Sequence, residues 1–218
     1  MKISAVLFDL DDTLHDKSAT LRSVASIQYK FTRLQEAGLF EVEWIDEFVR
    51  LNNLRIEKTE VFRLLQQRFS LSVEVATKLL QDFDNNLGKL AMPYEGAISL
   101  VEACKAHGLK VGIVTNGRDA FQRSKIDGLG LTKLVDFVVT SGGFGIKKPD
   151  PQIFQSCLEG LSVNPNQAAF IGDDFKADME PSLELGMIAI WKSASKSPKV
   201  NFSSNSLDEI RTFLLAEV

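Results

Sequence analysis

Ile3-Ser4-Ala5-Val6-Leu7-Phe8-Asp9-Leu10-Asp11-Asp12-Thr13 begins as a short apolar run and stops at a string of aspartates. Such a run, without the apolar/polar alternation of a half-exposed strand, reads as a strand buried on both faces. Further runs of this kind are Val111 to Val114, Val135 to Val139, Ala168 to Ile171 and Met187 to Trp191. Between them apolar residues recur at helical spacing, as in Ala97, Leu100, Val101 and Cys104, or Ile153, Phe154, Cys157, Leu158 and Leu161. Strand and helix in alternation predict an α/β, Rossmann-like core, a parallel sheet of about five strands with helices on both faces. Ligands of such sheets sit at the carboxyl ends of the strands, so the residues that follow each strand decide the chemistry.

From about Asp16 to Met92 the alternation breaks. Helical stripes succeed one another: Val24, Ile27, Phe31 and Leu34, closed by Gly38; Ile45, Phe48 and Val49; Val61, Phe62, Leu65 and Phe69; and Val75, Leu79, Phe83 and Leu87 behind a Ser72 cap. Helices of this kind bury their apolar faces against one another as a small bundle. The expected organisation is therefore a core made of residues 1–15 and 93–218, with a helical-bundle unit, residues 16–92, inserted into it. The chain returns to the core at Pro93-Tyr94-Glu95-Gly96. Ser193 to Ser206, rich in serine, lysine and asparagine, reads as a surface loop before a last helix at about Leu207 to Ala216.

The bulk properties narrow the function. Among 218 residues, 44% are hydrophobic and 25% charged, which argues for a globular chain rather than disorder. A net charge of -4 gives no electrostatic reason to expect a nucleic acid polymer or an anionic membrane as partner. No apolar run approaches the ~18 residues that span a bilayer, and Met1-Lys2-Ile3 leads into no signal-peptide core, so the expected location is the cytoplasm. Cys104 and Cys157 lie in apolar helical patterns without metal-type spacing to a histidine and read as buried thiols.

Four segments carry chemistry. Asp9 and Asp11 leave the first strand toward the ligand edge, and crowded carboxylates call for a cation, naturally a hard divalent metal; aspartate clusters also occur at turns and helix caps. Thr115-Asn116-Gly117 ends the second strand with a hydroxyl, an amide and a flexible glycine, donors suited to a phosphate and equally to a bare turn. After the third strand a glycine-rich loop from Gly142 delivers Lys147 and Lys148 before Pro149, which reads as opening the next helix. The fourth strand ends in Gly172-Asp173-Asp174-Phe175-Lys176-Ala177-Asp178, bringing further acids to the same edge, with Asp178 also eligible as a helix cap. His15 reads as pocket lining or as a surface residue at the start of the linker, and His107 as a helix end.

In order and spacing these segments resemble the signature of the haloacid dehalogenase superfamily: DxDxT after the first strand, a hydroxyl after the second, a lysine before the fourth, and GDxxxxD after it. The helical insertion stands where that family carries its helical cap. The resemblance implies a phosphatase in which Asp9 is the nucleophile and forms a phospho-aspartate, while Asp11 is the general acid and then the base. It implies Mg2+ held by Asp9, Asp173 and the main-chain carbonyl of Asp11. Thr115, Asn116, Gly117 and Lys148 are implied to bind the phosphoryl oxygens, with Asp178 orienting Lys148 or metal-bound water. The implied partner is a small phosphorylated metabolite, a nucleotide monophosphate or sugar phosphate, and the chain is expected to be a monomer or homodimer. A sugar phosphomutase and a non-catalytic phosphate-binding protein share the fold. Substrate choice is expected in the cap, with Arg22, Asn52, Asn53, Arg55 and Lys58 as candidates.

Overall fold

Strand β1, Ala5–Phe8, is buried along its whole length, as an unbroken apolar run requires. The computed structural model describes residues 3–54 and 56–217. They fall into two units, Met1–Asp16 with Pro93–Val218, and Lys17–Met92.

The Lys17–Met92 unit is built from helices α1 (Lys17–Phe31), α2 (Glu41–Asn52), α3 (Lys58–Arg68) and α4 (Val73–Asn86). Ser72 caps α4 as predicted, its hydroxyl accepting from the Val75 N–H at 3.2 Å. The apolar faces meet in a buried aromatic cluster, where Phe62 and Phe83 lie 5.5 Å apart at 66° and Trp44 and Phe69 5.4 Å apart. Tilted pairs of this sort add ~1 kcal/mol each beyond the area they bury. The stripe predicted on α1 is corrected. Val24 is buried, but Ile27 and Phe31 are 43% and 52% exposed. The helix stops at Phe31, Arg33 adopts a left-handed φ of 52°, and Leu34 begins a separate 3-10 turn, so the four residues do not share one helical register. What α1 buries instead includes Gln28, whose amide donates to the Leu79 carbonyl and the Asp82 carboxylate, both at 2.9 Å.

The other unit continues with α5 (Ala97–Ala106), β2 (Lys110–Thr115), α6 (Asp119–Gly128), β3 (Phe137–Thr140) and α7 (Ser141–Phe144). It ends with α8 (Pro151–Leu161), β4 (Ala168–Gly172), α9 (Glu180–Glu184), β5 (Ile188–Lys192), β6 (Phe202–Ser204) and α10 (Leu207–Ala216). The strands form one sheet in the order β3-β2-β1-β4-β5-β6, every neighbour parallel. This is the α/β architecture the sequence predicts, with one strand more. β6 lies in the stretch expected to be loop. It has only three residues, two of them the buried serines Ser203 and Ser204, so no apolar run marks it. Its Phe202 stacks on Phe213 of α10 at 4.5 Å.

Register aligns the functional ends. Phe8 of β1 pairs with Ile113 of β2 and Ile171 of β4, so Asp9, Thr115 and Asp173 all leave the sheet at its carboxyl edge. Helix α8 lies so close on β2 that a Cβ on Gly112 would meet Cys157 Sγ at 2.6 Å. Both cysteines are free and buried. Pro149 does not open α8; Pro151 does, behind an Asp150 cap that accepts from the Gln152 N–H at 2.9 Å. Among the described residues no helix is long and apolar enough to cross a membrane.

Candidate active site

Asp9, the first residue past β1, is 6% exposed, and its main-chain N–H is held by the Ile171 carbonyl at 2.9 Å. Lys148 reaches it from the loop before α8, placing Nζ 2.5 Å from Asp9 Oδ1 and 2.7 Å from Asp178 Oδ1. Lys147, its neighbour, makes no such contact among the described residues, so the lysine beside the proline is the one at the site. Lys148 is itself only 5% exposed; burial pulls its pKa down, but the Asp9 and Asp178 charges outweigh that and raise it. Burial pushes Asp9 well above the usual carboxylate range, Lys148 opposes it, and the charges of Asp178 and Asp173 add to the rise. Asp173 is pushed up to about 6, by burial first and then by Asp178 and Asp12. Thr13 offers its hydroxyl to Asp9 Oδ2 at 3.2 Å and to Asp173 Oδ1 at 3.4 Å, two acceptors for one proton.

Asp11 stands in the opposite setting. Lys125 Nζ lies 2.8 Å from each of its oxygens, His15 Nδ1 2.6 Å from Oδ1, and Gln122 Nε2 3.2 Å from Oδ2. Burial alone would raise its pKa, yet Lys125 and His15 hold the carboxyl far below the usual range. His15 is 1% exposed, which corrects the surface reading; short bridges to Asp11 and Pro93 hold its backbone.

The other predicted residues divide. Thr115 is 1% exposed with Oγ1 2.6 Å from Gln122 Nε2, which leaves its own O–H to donate elsewhere. Asn116 is a clamp on Lys148 rather than an outward donor: Oδ1 accepts from the Lys148 N–H at 2.8 Å and Nδ2 donates to its carbonyl at 3.1 Å. The Gly117 N–H, read as a phosphate donor, is taken by Ser141 Oγ at 2.9 Å, because the glycine-rich segment folds as the single-turn α7 packed against it. Asp178 is buried, and its Oδ2 accepts from the Asp174 N–H at 3.1 Å. Gly172 must lack a side chain, since a Cβ there would lie 2.6 Å from Asp178 Cγ. Of the acids that this segment brings to the sheet edge, Asp174 caps the following turn, its Oδ1 accepting from the Lys176 and Ala177 N–H groups at 3.0 Å. Asn52 and Lys58 bond one another at 2.9 Å, Arg22 pairs with Asp46, and Arg55 lies outside the described residues.

Sequence reasoning missed Gln122, Lys125 and Lys192. The first two lie on α6 with Ile126, and Leu129 follows at its C-terminus, at the 122, 125, 126, 129 spacing of a buried helix face. Polar residues in two core positions are the signal that could have found them. Lys192 ends β5, donates to the Asp12 carbonyl at 2.9 Å and sits 3.5 Å from the centre of the Tyr94 ring.

The donor set fits a hard divalent cation. Carboxylate oxygens of Asp9, Asp173 and Asp178 lie within 4.8 Å of one another, and the Lys148 ammonium offsets only one of their three charges. The raised proton affinities and the overcommitted Thr13 hydroxyl are what such a group shows when a cation is its natural partner. Asp11 lends no carboxylate to it, which leaves its main-chain carbonyl as the only ligand it can offer.

Known proteins resemble the chain along nearly its whole length. A glyceraldehyde 3-phosphate phosphatase of Methanocaldococcus jannaschii is 27% identical over 220 residues, covering 95% of each chain. The pyrimidine 5'-nucleotidase YjjG of Escherichia coli is 29% identical over 206 residues, covering 89% of this chain and 88% of its own. The magnesium-bound crystal structure of the HAD-hydrolase YfnB of Bacillus subtilis superposes with a TM-score of 0.77 at 20% identity, covering 98% and 99% of the two chains. The family description "haloacid dehalogenase-like hydrolase" matches residues 6–192, from β1 to the end of β5, and the chain is an enzyme that belongs to that family.

Proposed function

We propose that this hydrolase is a magnesium-dependent phosphomonoesterase for a small phosphorylated metabolite, a nucleotide monophosphate or a sugar phosphate, working through phospho-Asp9. The observation that carries the reading is the division of labour between two aspartates two residues apart. Asp9 sits among carboxylates with Lys148, and Asp11 sits among donors of its own. Phosphomonoesters need charge neutralisation, an in-line nucleophile and a proton for the leaving oxygen.

An Asp9 carboxylate oxygen attacks phosphorus, the bond to the ester oxygen breaks, and Asp11, which takes up a proton as the negatively charged phosphoryl group arrives beside it, gives that oxygen its proton. Water then attacks phosphorus, Asp11 takes the water proton, phosphate departs and the Asp9 carboxylate is restored. Lys148 and the Thr115 hydroxyl hold phosphoryl oxygens, Asp178 fixes Lys148, and Asn116 fixes the backbone that carries it. Magnesium, held by Asp9, Asp173 and the Asp11 carbonyl, supplies further neutralisation of phosphoryl charge when bound. Departure of a halide needs no proton, so an acid at Asp11 favours phosphoryl chemistry over dehalogenation. The phosphatase and nucleotidase relatives support the substrate class. We place the enzyme in the cytoplasm, where such metabolites are found and where the thiols of Cys104 and Cys157 stay reduced.

The test is a phosphate-release screen over phosphorylated metabolites, with magnesium or with chelator, beside Asp9→Asn. Release with magnesium, lost on chelation and in Asp9→Asn, is expected. Interconversion of a hexose phosphate without release would identify a phosphomutase, and undiminished turnover by Asp9→Asn would overturn the reading.

A further inference from the structure

Helix α6 presents Gln122 and Lys125, three residues apart and so on one face, and they are 1% and 5% exposed. Lysine is almost never buried so fully unless it is paired, and Lys125 is paired with Asp11 alone among carboxylates of the described residues. Its Nζ lies 2.8 Å from both Asp11 oxygens, a two-point grip that fixes the plane of the carboxylate as well as its position. The ammonium also lies 4.9 Å from the centre of the Phe121 ring, which gives the lysine a second constraint from its own helix. Gln122 Nε2 has two protons and three acceptors in reach, Thr115 Oγ1 at 2.6 Å, the Asn116 carbonyl at 3.1 Å and Asp11 Oδ2 at 3.2 Å. One helix thus ties Asp11 to the end of β2.

We propose that Lys125, with Gln122 beside it, is a positioning residue that sets the orientation of the Asp11 carboxyl, and so governs protonation of the leaving oxygen rather than phosphoryl binding or nucleophilic attack. The inference rests on the reading of Asp11 as the acid and base. Among the described residues Lys125 pairs with neither Asp9 nor Asp173 nor Asp178, whereas Lys148 pairs with Asp9 and Asp178. Loss of Lys125 therefore leaves attack on phosphorus intact and releases the proton donor from its fixed direction. Misdirecting a general acid forfeits part of its ~10²- to 10⁴-fold contribution. That loss falls on esters whose leaving group needs a proton and spares those whose leaving group does not.

The experiment compares phenyl phosphate, whose phenol is as basic as tyrosine, with p-nitrophenyl phosphate, whose phenolate leaves unprotonated. The magnesium-loaded full chain is assayed as parent, Lys125→Met, Lys125→Arg and Asp11→Asn. Lys125→Met is expected to lower kcat/KM for phenyl phosphate by ~10²-fold and for p-nitrophenyl phosphate by less than ~10-fold, the loss lying in kcat, and Lys125→Arg to recover part of the difference. Lys125→Gln gives the same readout should the methionine variant not fold. Equal losses on both esters, or no loss, while Asp11→Asn remains selective, overturn the positioning role alone. Equal losses in Asp11→Asn as well overturn the acid–base reading beneath it.

Discussion

Without a divalent cation the protein should be less stable at pH ~7.5 than at pH ~5, the reverse of the usual carboxylate behaviour. Asp173 is pushed up to about 6 by burial and by its neighbours Asp178 and Asp12, against ~4 in an unfolded chain. The folded state therefore holds that proton ~10²-fold more tightly, and stability falls as pH rises through the interval between the two values. Unscreened, the whole interval amounts to ~3 kcal/mol, of which about half remains at pH ~5; because Asp173 is only partly buried, solvent screening reduces the loss between pH ~5 and ~7.5 to ~1 kcal/mol. Asp9, also raised, acts with the same sign. Asp11 does not oppose it in this window: its pKa is lowered, so its contribution is complete above the ordinary carboxylate value and is lost only in more acid solution. For a chain of 218 residues, ~1 kcal/mol corresponds to a fall in Tm of ~2–4 °C, to which Asp9 adds. Magnesium should erase or invert the slope, since a cation takes the place of the protons and binds the folded form. Thermal unfolding followed by circular dichroism in chelator and in magnesium, at both pH values, measures it, with Asp173→Asn as control. A Tm in chelator that stays level or rises with pH, or a slope undiminished in Asp173→Asn, would refute the reasoning.

Two close approaches give further tests. Gly172→Ala places a Cβ 2.6 Å from Asp178 Cγ, so it should displace Asp178 from Lys148, lowering kcat for phosphate release by at least ~10-fold and stability by ~1–3 kcal/mol in urea unfolding. Gly112→Ala brings a Cβ to 2.6 Å from Cys157 Sγ and should destabilise by ~1–3 kcal/mol; adding Cys157→Ala should return at least ~1 kcal/mol of that, and strict additivity in the cycle would disprove the clash. Ser72→Ala should cost about 1 kcal/mol by removing the α4 cap, with phosphate release unchanged.

What the sequence made legible followed from local rules. Five strands announced themselves as apolar runs, although the edge strand β3 is exposed at Phe137 rather than buried throughout, and in a parallel sheet the residue after each run must lie at the ligand edge, so Asp9, Thr115 and Asp173 could be placed from the sequence. Strand β6 could not, because three residues with buried serines carry no hydrophobic pattern. The α1 stripe misled because periodicity assumes an unbroken helix, and the left-handed Arg33 breaks it. Gln122 and Lys125 escaped for a different reason: their meaning depends on a partner more than a hundred positions away, Asp11, and only the packing of α6 brings the two together. Asn116 and Gly117 were read as facing the ligand because their chemistry suits it, yet the fold spends Asn116 on Lys148 and the Gly117 amide on Ser141.

A strand directs successive side chains to opposite faces, so residues two apart point the same way and ought to share an environment. Asp9 and Asp11 do not, because the chain leaves the sheet between them and each is met by a lysine from a different element. Lys148 arrives on the loop before α8 and is shared with Asp178, so one cation serves two buried acids, and Asp9 stays in excess negative charge. Lys125 arrives on α6 and serves Asp11 alone, joined by His15 and Gln122, so Asp11 is left in excess of donors. In the cation-free protein these surroundings raise the pKa of Asp9 and lower that of Asp11, the opposite of what a nucleophile and a proton donor need. The division therefore serves catalysis once a cation offsets the charge around Asp9 and the substrate's phosphoryl charge reaches Asp11. The metal-fitting geometry follows from the same count of charges: the carboxylates of Asp9, Asp173 and Asp178 converge, and the single Lys148 ammonium bridges two of them.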